Sequence, residues 1–268
     1  MTAADRPLIG QPQGTTWHPR LYLAEFLGTS LLVTVGVSVV IVMFGRGSPA
    51  AVLLPNEGTR RLVTGFLFGL VGAIVTVSPA GRVSGAHLNP AVTIAFHAEG
   101  KLGIRDAIGY ILGQLLAGLA SILPLRAWGS FGLSAHFGAT IPAAGKPIWV
   151  PLLGETCVTW ALVTLIFVMA SHRRTRPFTP WSIAPLFAVM VWLEAPLSGT
   201  SANPARSLGP AVLAGDLSDV WLYFLGPVMG ALLAVVLLRL EVVGAHHPPA
   251  ARVGHFGLDE RSAAGPCP

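Results

Sequence analysis

Six long apolar runs dominate this chain of 268 residues and leave few folds open to it. The runs are Leu21–Phe44, Leu62–Ser78, Ala107–Leu125, Ile148–Ala170, Trp181–Leu197 and Val220–Val243. A helix needs roughly 20 apolar residues to cross a hydrocarbon layer of about 30 Å, and each run meets or approaches that length. Only 11% of the residues are charged, against about 25% in a soluble domain. The chain is therefore predicted to be an all-α membrane protein with six transmembrane helices.

A tripeptide, Asn-Pro-Ala, occurs twice in the connections between these runs. The two copies are Asn89-Pro90-Ala91, within SGAHLNPAVT, and Asn203-Pro204-Ala205, within SGTSANPARS. Asn is a strong N-cap and Pro is favoured at the first helical position, so each copy is expected to start a helix. Both helices stop too early to span a membrane, since Gly100 and Gly215 follow closely. Two re-entrant half-helices in corresponding halves of the chain are predicted, which indicates a site at mid-depth.

The two halves also match within their long runs. Runs 1 and 4 each carry a glutamate, Glu25 and Glu155, and runs 3 and 6 share the pattern Tyr-x-x-Gly at Tyr110 and Tyr223. A repeat of three spanning helices crosses the membrane an odd number of times, so the second copy must run in the opposite direction. The half-helices are therefore expected to enter from opposite faces and to meet N-terminus to N-terminus.

Basic residues predict the orientation of the chain. Most of the 17 Lys and Arg residues lie near the two termini, in the connection between runs 2 and 3, and in the connection between runs 4 and 5. Because cytoplasmic connections are enriched in Lys and Arg, the N-terminal segment 1–20 and the tail 244–268 are predicted to be cytoplasmic. The tail is rich in Pro, Gly and Ala and is predicted to be disordered.

Together these motifs resemble the aquaporin family, the major intrinsic proteins. One Asn-Pro-Ala alone would be weak evidence for the family. Two copies in inverted repeats, the second continued by Arg206, are a specific signal. The resemblance covers about Leu21 to Val243. It implies an aquaporin-like channel domain over 21–243, with repeat one at 21–125 and repeat two at 148–243.

The resemblance also implies a function. The expected protein is a passive channel in the cell (plasma) membrane that conducts water down osmotic gradients and excludes ions and protons, not an enzyme. It would assemble as a homotetramer with one pore in each subunit. No cofactor is expected, and the net charge of +5 is interpreted as a topology feature rather than as a nucleic-acid site. Cys157 and Cys267 stand in no spacing typical of a metal site or a disulfide framework.

The resemblance places the two Asn-Pro-Ala motifs in the pore. The side-chain oxygens of Asn89 and Asn203 would cap the half-helices, which leaves their amides as donors for a passing oxygen atom. The helix N-termini behind them add roughly half a positive charge each, which disfavours cations and hydrated protons. A guanidinium in an apolar segment is costly and marks a functional site. The resemblance implies that Arg206 lines the narrowest constriction.

A selectivity filter is also implied. Its residues are Phe68 in run 2, Val191 in run 5, Thr200 in the loop before the second Asn-Pro-Ala motif, and Arg206. A strict count from the first motif gives Gly69 in run 2 instead, but Phe68 is favoured because the family usually has an aromatic residue there. Water-selective members usually carry His where this chain has Val191. A channel that also passes glycerol or other small neutral solutes therefore stays open as the alternative.

Three buried polar residues are expected to support the loops: Glu25, Glu155 and His87. In the family, the two glutamates accept hydrogen bonds from the folded-back loops, and a proton-carrying role is the alternative. His87 is interpreted as a loop-packing or pore-wall group rather than a metal ligand. Glu194, near the outer end of run 5, is expected to be an interfacial acid.

Two other classes of membrane protein are less favoured. An ion-coupled secondary transporter built from inverted repeats would need a titratable site at mid-depth, for which the sequence offers mainly Glu25 and Glu155. A membrane-embedded hydrolase is disfavoured because the sequence contains neither Gly-x-Ser-x-Gly nor His-Glu-x-x-His.

Overall fold

The computed structural model describes residues 16–242, 244 and 246–254, and within these residues it contains helices and loops but no strand. The framework consists of α1 (Pro19–Phe44), α2 (Glu57–Val77), α3 (Pro90–Ala98), α4 (Ile104–Ala120), α5 (Trp149–Ser171), α6 (Thr179–Ser198), α7 (Pro204–Ala214) and α8 (Leu222–Arg239). Shorter helical segments are Pro49–Leu53, Pro79–Ser84, Ile122–Arg126, Gly129–Ser134, His136–Gly138 and Arg176–Phe178. With the short segments that extend α4 and α6, every helix of the framework except α3 and α7 is long and apolar enough to cross a membrane.

The six predicted apolar runs are confirmed as helices, with shifts at their ends. Helix α2 begins at Glu57, upstream of the predicted start, because Asn56 caps it and accepts a hydrogen bond from the Thr59 N–H at 2.9 Å. Helix α4 stops at Ala120 and resumes two residues later, since Pro124 has no N–H for the Ala120 carbonyl. Helix α8 ends before the predicted run does.

The helices pack as a pseudo-symmetric bundle. Helix α1 packs against α4 and α5 against α8, while α2 and α6, the corresponding helices of the two repeats, pack against each other. The crossing of α2 and α6 is close: a Cβ added at Gly65 would lie 2.2 Å from the Phe187 carbonyl oxygen, and one at Gly69 would lie 2.6 Å from the Ala184 Cα. Small residues at a crossing let two backbones approach, which is a common device in membrane helices.

The outer surface of the bundle is apolar. On α1, Leu23, Leu27 and Leu31 repeat every four residues and are 58%, 52% and 49% exposed. Helix residues at this spacing lie on one face, so α1 presents a continuous leucine stripe away from the core. A stripe of this kind suits contact with lipid chains.

The tail does not behave throughout as the composition predicts. Residues 246–254 lie against one end of the bundle, and Pro248 and 250–254 are buried. The prediction of disorder is therefore wrong for these residues. The rest of the predicted tail, at 245 and 255–268, lies outside the described residues, as does the N-terminal segment 1–15.

Candidate pore at the junction of the two half-helices

The N-termini of α3 and α7 meet in the middle of the bundle, where Asn89 and Asn203 form reciprocal contacts. The Asn89 Nδ2 donates to the Ala202 carbonyl oxygen at 2.7 Å, and the Asn203 Nδ2 donates to the Leu88 carbonyl oxygen at 2.9 Å. Each Oδ1 meanwhile accepts from the backbone N–H two residues later, at Ala91 and Ala205 respectively, so each side chain also caps its own helix.

This geometry refines the predicted role of the asparagine amides. A side-chain amide carries two hydrogens, and one hydrogen of each amide bonds to the opposite loop. Among the described residues, each amide donates one such bond, so its second hydrogen is available to another oxygen atom. Both Asn89 and Asn203 line a cavity of about 60 Å³, here called the middle cavity.

Two buried glutamates hold the loops that lead into the half-helices. Glu25 accepts from the His87 N–H at 3.0 Å and the Leu88 N–H at 2.7 Å. Glu155 accepts from the Ser201 N–H at 2.7 Å and the Ala202 N–H at 2.8 Å. In both repeats the bonded N–H groups belong to the two residues before the asparagine. Hydrogen bonds from N–H donors to a carboxylate are among the stronger ones in proteins, so each glutamate fixes its loop.

The loops need this support because their backbones are strained at matching positions. Ala86 and Leu88 have φ of 58° and 53°, and Thr200 and Ala202 both have φ of 53°. These are the third and the first residue before the asparagine in each loop. A left-handed conformation costs a residue other than glycine about 1–3 kcal/mol and persists only where neighbours enforce it. The glutamates are those neighbours.

Two tyrosines complete the symmetry between the repeats. The Tyr110 hydroxyl donates to the Ser84 carbonyl oxygen at 2.7 Å, and the Tyr223 hydroxyl donates to the Ser198 carbonyl oxygen at 2.6 Å. Both acceptors are the last residue of the helix before the loop. The Tyr-x-x-Gly pattern shared by runs 3 and 6 thus corresponds to one contact made twice.

A second cavity, of about 230 Å³, lies beyond the middle cavity on the α7 side and is here called the filter-side cavity. Four of its lining residues are those predicted for the filter: Phe68, Val191, Thr200 and Arg206. Arg206 is only 4% exposed, and its Nη1 donates to the Gly138 carbonyl oxygen at 2.8 Å. Its guanidinium carbon lies 5.8 Å from the centre of the Phe68 ring, within cation–π range.

The two candidates in helix α2 occupy different positions. The Phe68 ring lies beside Arg206 in the filter-side cavity. The Gly69 backbone instead faces the α2–α6 crossing, where an added Cβ would collide with Ala184. The geometry therefore supports Phe68 as the side chain that faces Arg206.

Phe187 is a site residue that the sequence reasoning missed. It lines both cavities together with Phe68, and the two rings stack with centroids 5.8 Å apart and an interplanar angle of 12°. Phe187 precedes Val191 by four residues on α6, so the two share one helix face. In the sequence, this spacing of four residues from Val191 is the signal that could have identified Phe187.

Glu194 is buried inside the bundle, so its prediction as an interfacial acid is wrong. It is 6% exposed, and one carboxylate oxygen accepts a short hydrogen bond from the Thr200 hydroxyl. The other carboxylate oxygen lies against Gly154 of α5, where an added Cβ would approach it to 2.5 Å. The absence of a side chain at Gly154 therefore makes room for Glu194 inside the bundle, behind the filter-side cavity.

The contacts of His87 fit both roles predicted for it. It lines the middle cavity, and its ring stacks on Phe96 with centroids 4.6 Å apart. Its Nε2 lies 3.1 Å from the Ala251 carbonyl oxygen, which can only accept, so Nε2 carries the hydrogen. Its Nδ1 lies 3.2 Å from the Thr93 hydroxyl. Among the described residues, no three His, Cys, Asp or Glu side chains are grouped closely enough to hold a metal ion.

Comparisons with known proteins agree with this architecture. The sequence profile described as "Major intrinsic protein" matches residues 15–238. The Glycerol uptake facilitator protein-like 6 of Lactiplantibacillus plantarum is 35% identical over 234 residues, which cover 82% of this chain and 97% of that protein. Probable aquaporin TIP2-2 of Arabidopsis thaliana is 31% identical over 236 residues, which cover 85% of this chain and 90% of that protein.

A solved structure is also similar. The X-ray structure of the aquaglyceroporin from Plasmodium falciparum superposes with a TM-score of 0.67 and covers 82% of this chain and 94% of that one. At 18% sequence identity this likeness concerns the fold alone. The profile match and the two relatives span most of the chain. The chain is therefore a multi-pass membrane protein that belongs to the major intrinsic protein family, a family of channels.

Proposed function

We propose that the protein is a passive channel for water that excludes ions and protons. The observation that carries the proposal is the meeting of two helix N-termini at Asn89 and Asn203, on the wall of a cavity lined by both repeats. Each N-terminus brings roughly half a positive charge, and each asparagine keeps one amide hydrogen for an oxygen atom. A neutral solute with an accepting oxygen is favoured there, and a cation is not.

Arg206 supports the same conclusion from the filter side. Its guanidinium is fixed by Gly138 and lies beside Phe68, so its charge is held at the wall of the filter-side cavity. A fixed positive charge raises the electrostatic barrier to cations, while its remaining N–H groups can bind water oxygens. The route needs no covalent chemistry and no cofactor, which supports a channel rather than an enzyme.

Passage of glycerol as well as water is the second candidate, and Val191 favours it. Val191 lines the filter-side cavity together with the polar residues Thr200 and Arg206. A wall with one apolar side and one polar side suits a molecule with a carbon backbone and hydroxyl groups. The relatives named above include both an aquaporin and a glycerol uptake facilitator.

Ion-coupled transport receives less support from the same contacts. A coupling carboxylate must exchange protons or bind ions at the solute route, but Glu25 and Glu155 are each 0% exposed and bonded to two backbone N–H groups. A carboxylate that holds a strained loop in place cannot change partners without releasing the loop. Both residues therefore fit a structural role.

We further propose the arrangement of the channel in the cell. Both termini would face the cytoplasm, following the distribution of Lys and Arg, and the membrane would be the cell (plasma) membrane. The leucine stripe on α1 is available for contact with lipid or with neighbouring subunits of a homotetramer, with one pore in each subunit.

Stopped-flow light scattering on proteoliposomes tests the function. Vesicles with and without protein are exposed to an impermeant osmolyte, and glycerol is then tested in parallel. We expect fast shrinkage with a low activation energy and no proton leak. Re-swelling in glycerol at a rate well above that of empty vesicles would favour the second candidate. Shrinkage no faster than that of empty vesicles would contradict both.

A further inference from the structure

The C-terminal tail occupies one end of the pore. Its residues 250–254, here called the tail segment, are all buried, with Ala251 at 0% and Val253 at 2% exposure. Val253 lines the middle cavity, and we call the adjoining region formed by the tail's bonding partners Arg82, Gly85 and His87 the tail-side mouth.

Three hydrogen bonds connect the tail segment to the mouth. The Val253 N–H donates to the Gly85 carbonyl oxygen at 2.8 Å. The His87 Nε2 donates to the Ala251 carbonyl oxygen at 3.1 Å, and the Arg252 Nη1 donates to the Arg82 carbonyl oxygen at 3.1 Å. All three partners belong to the stretch that leads into the first Asn-Pro-Ala motif.

The tail segment reaches the solute route itself. The Val253 side chain lines the middle cavity together with Asn89 and Asn203. The Val253 N–H also donates to the Gly85 carbonyl oxygen, which ties the segment to the backbone beside the cavity. Gly85 leaves the space that the tail uses, since an added Cβ would lie 2.7 Å from the Ala251 carbonyl oxygen.

Two contacts lead the chain from the end of α8 toward the mouth. The His247 Nδ1 lies 2.6 Å from a Glu99 carboxylate oxygen, at the C-terminal end of α3. The His246 ring lies 4.9 Å from the His172 ring, at the end of α5. These contacts fix the direction of the tail before it reaches Ala250, and they lie outside the cavity.

We propose that the tail-side mouth is a binding site for a peptide, that its ligand is the tail segment of the same chain, and that occupancy lowers the water permeability of the pore severalfold without abolishing it. The proposal rests on the proposed channel function. The ligand chemistry is specific: two small residues that fit a narrow opening, a guanidinium that binds a backbone carbonyl, and a valine that seals the cavity. Hydrogen bonds without a covalent link allow the segment to leave.

Substitution of Val253 in the full-length chain tests this partial closure. Val253→Lys places an ammonium group at the wall of the middle cavity, which Asn89 and Asn203 at the two half-helix N-termini also line, and a buried positive charge is disfavoured there. We expect the segment to leave the mouth and the water permeability per channel to rise severalfold above that of the unmodified protein. Val242→Lys is the matched control. Val242 is 67% exposed, so this substitution adds the same charge outside the mouth.

A peptide with the sequence of residues 246–254 tests the binding site directly. Supplied on both sides of the vesicles, it should lower the permeability of the Val253→Lys channel toward that of the unmodified protein, and a scrambled peptide should not. The free peptide must be supplied at high concentration, because it lacks the large effective concentration that the tether gives to the segment within the chain. Ala251→Lys provides a second opening variant if Val253→Lys does not fold, as judged by thermal unfolding.

The outcomes separate closure from channel function. Equal and fast water permeability in the unmodified protein and both opening variants would overturn the closure and leave the channel intact. Fast permeability in the variants that the peptide does not lower would overturn the peptide site. Permeability no higher than that of empty vesicles in every folded variant would contradict the channel function and the closure together.

Discussion

Asn203 donates its side-chain amide to the carbonyl oxygen of Leu88 at 2.9 Å, across the boundary between the two repeats. Asn89 makes the mirror-image bond to Ala202. The pair of bonds explains why the tripeptide is needed twice: each asparagine caps its own half-helix and also satisfies a backbone carbonyl in the other loop. A change in either asparagine should therefore affect both halves of the pore.

Asn203→Asp tests this double role. A carboxylate can still cap α7 but cannot donate to Leu88, so a buried carbonyl loses its partner, at a cost of about 1–3 kcal/mol. We expect a lower thermal unfolding temperature in detergent and a reduced water permeability per folded channel. Asn56→Asp is the control, because the side-chain hydrogen bonds found for Asn56 among the described residues stay within its own helix start. Equal behaviour of the two variants would contradict the role of the junction.

Arg206→Val tests the electrostatic barrier. Loss of the guanidinium removes the fixed positive charge at the filter-side cavity, while the helix N-termini at the junction remain. Water flux should persist, and proton leak, measured with a pH-sensitive dye inside vesicles under a pH gradient, should rise at least severalfold. Arg46→Val, at an exposed residue after α1, is the control for the loss of one positive charge. An unchanged proton leak would exclude Arg206 from the barrier.

Val191→His tests which solutes the filter admits. The imidazole is larger than the valine side chain and adds a hydrogen-bonding group, so the cavity should become narrower and more polar. We expect the ratio of glycerol to water permeability to fall, measured in one vesicle preparation to remove differences in protein content. Val189→His, on the exposed side of the same helix, serves as the control. A constant ratio would mean that Val191 lies away from the constriction.

Phe187→Ala tests the boundary between the two cavities. Removal of the ring that stacks on Phe68 should join the filter-side cavity to the middle cavity and raise glycerol permeability relative to water. The protein should also lose stability, since Phe-to-Ala changes in a core cost about 3–5 kcal/mol. Leu193→Ala, 59% exposed on the same helix, is the matched control. Permeability ratios identical to the control would show that Phe187 only packs.

Glu194→Ala tests whether Glu194 orients Thr200. Without the carboxylate, the Thr200 hydroxyl loses its acceptor and becomes free to turn toward the solute. We expect a changed ratio of glycerol to water permeability, which Glu194→Gln should largely restore, since its amide oxygen can also accept. Thr200→Val combined with Glu194→Ala should have no larger effect than either change alone. Additive effects would contradict the coupling between the two side chains.

The parts of this structure that sequence reasoning predicted are those set by local chemistry. Asn89 and Pro90 favour a helix start, and run length alone identifies the spanning helices. Glu25 and Glu155 were predicted as loop supports through the family resemblance, and the contacts found for them fit that role. The match of Tyr110 with Tyr223 came from spacing, and the structure adds the shared contact.

The parts that were missed depend on how helices cross. Phe187 reaches the pore only because Gly65 and Gly69 draw α2 close to α6, and no local pattern gives that distance. Glu194 is buried because Gly154 of another helix leaves room for it. The tail was predicted to be disordered from its composition, which describes an average chain in water and not a chain beside a cavity that it can enter.

The reciprocal bonds at the junction also have a consequence for biosynthesis. The ribosome delivers the first repeat to the membrane before the second, so Asn89 and the Leu88 carbonyl must wait without the partners that the second loop supplies. Until that loop arrives, Glu25 holds the left-handed residues of the first loop without the added bond from Asn203. The inner wall of the channel is thus finished only after translation has passed Asn203, and a nascent chain halted earlier would expose an incomplete loop to cellular quality control.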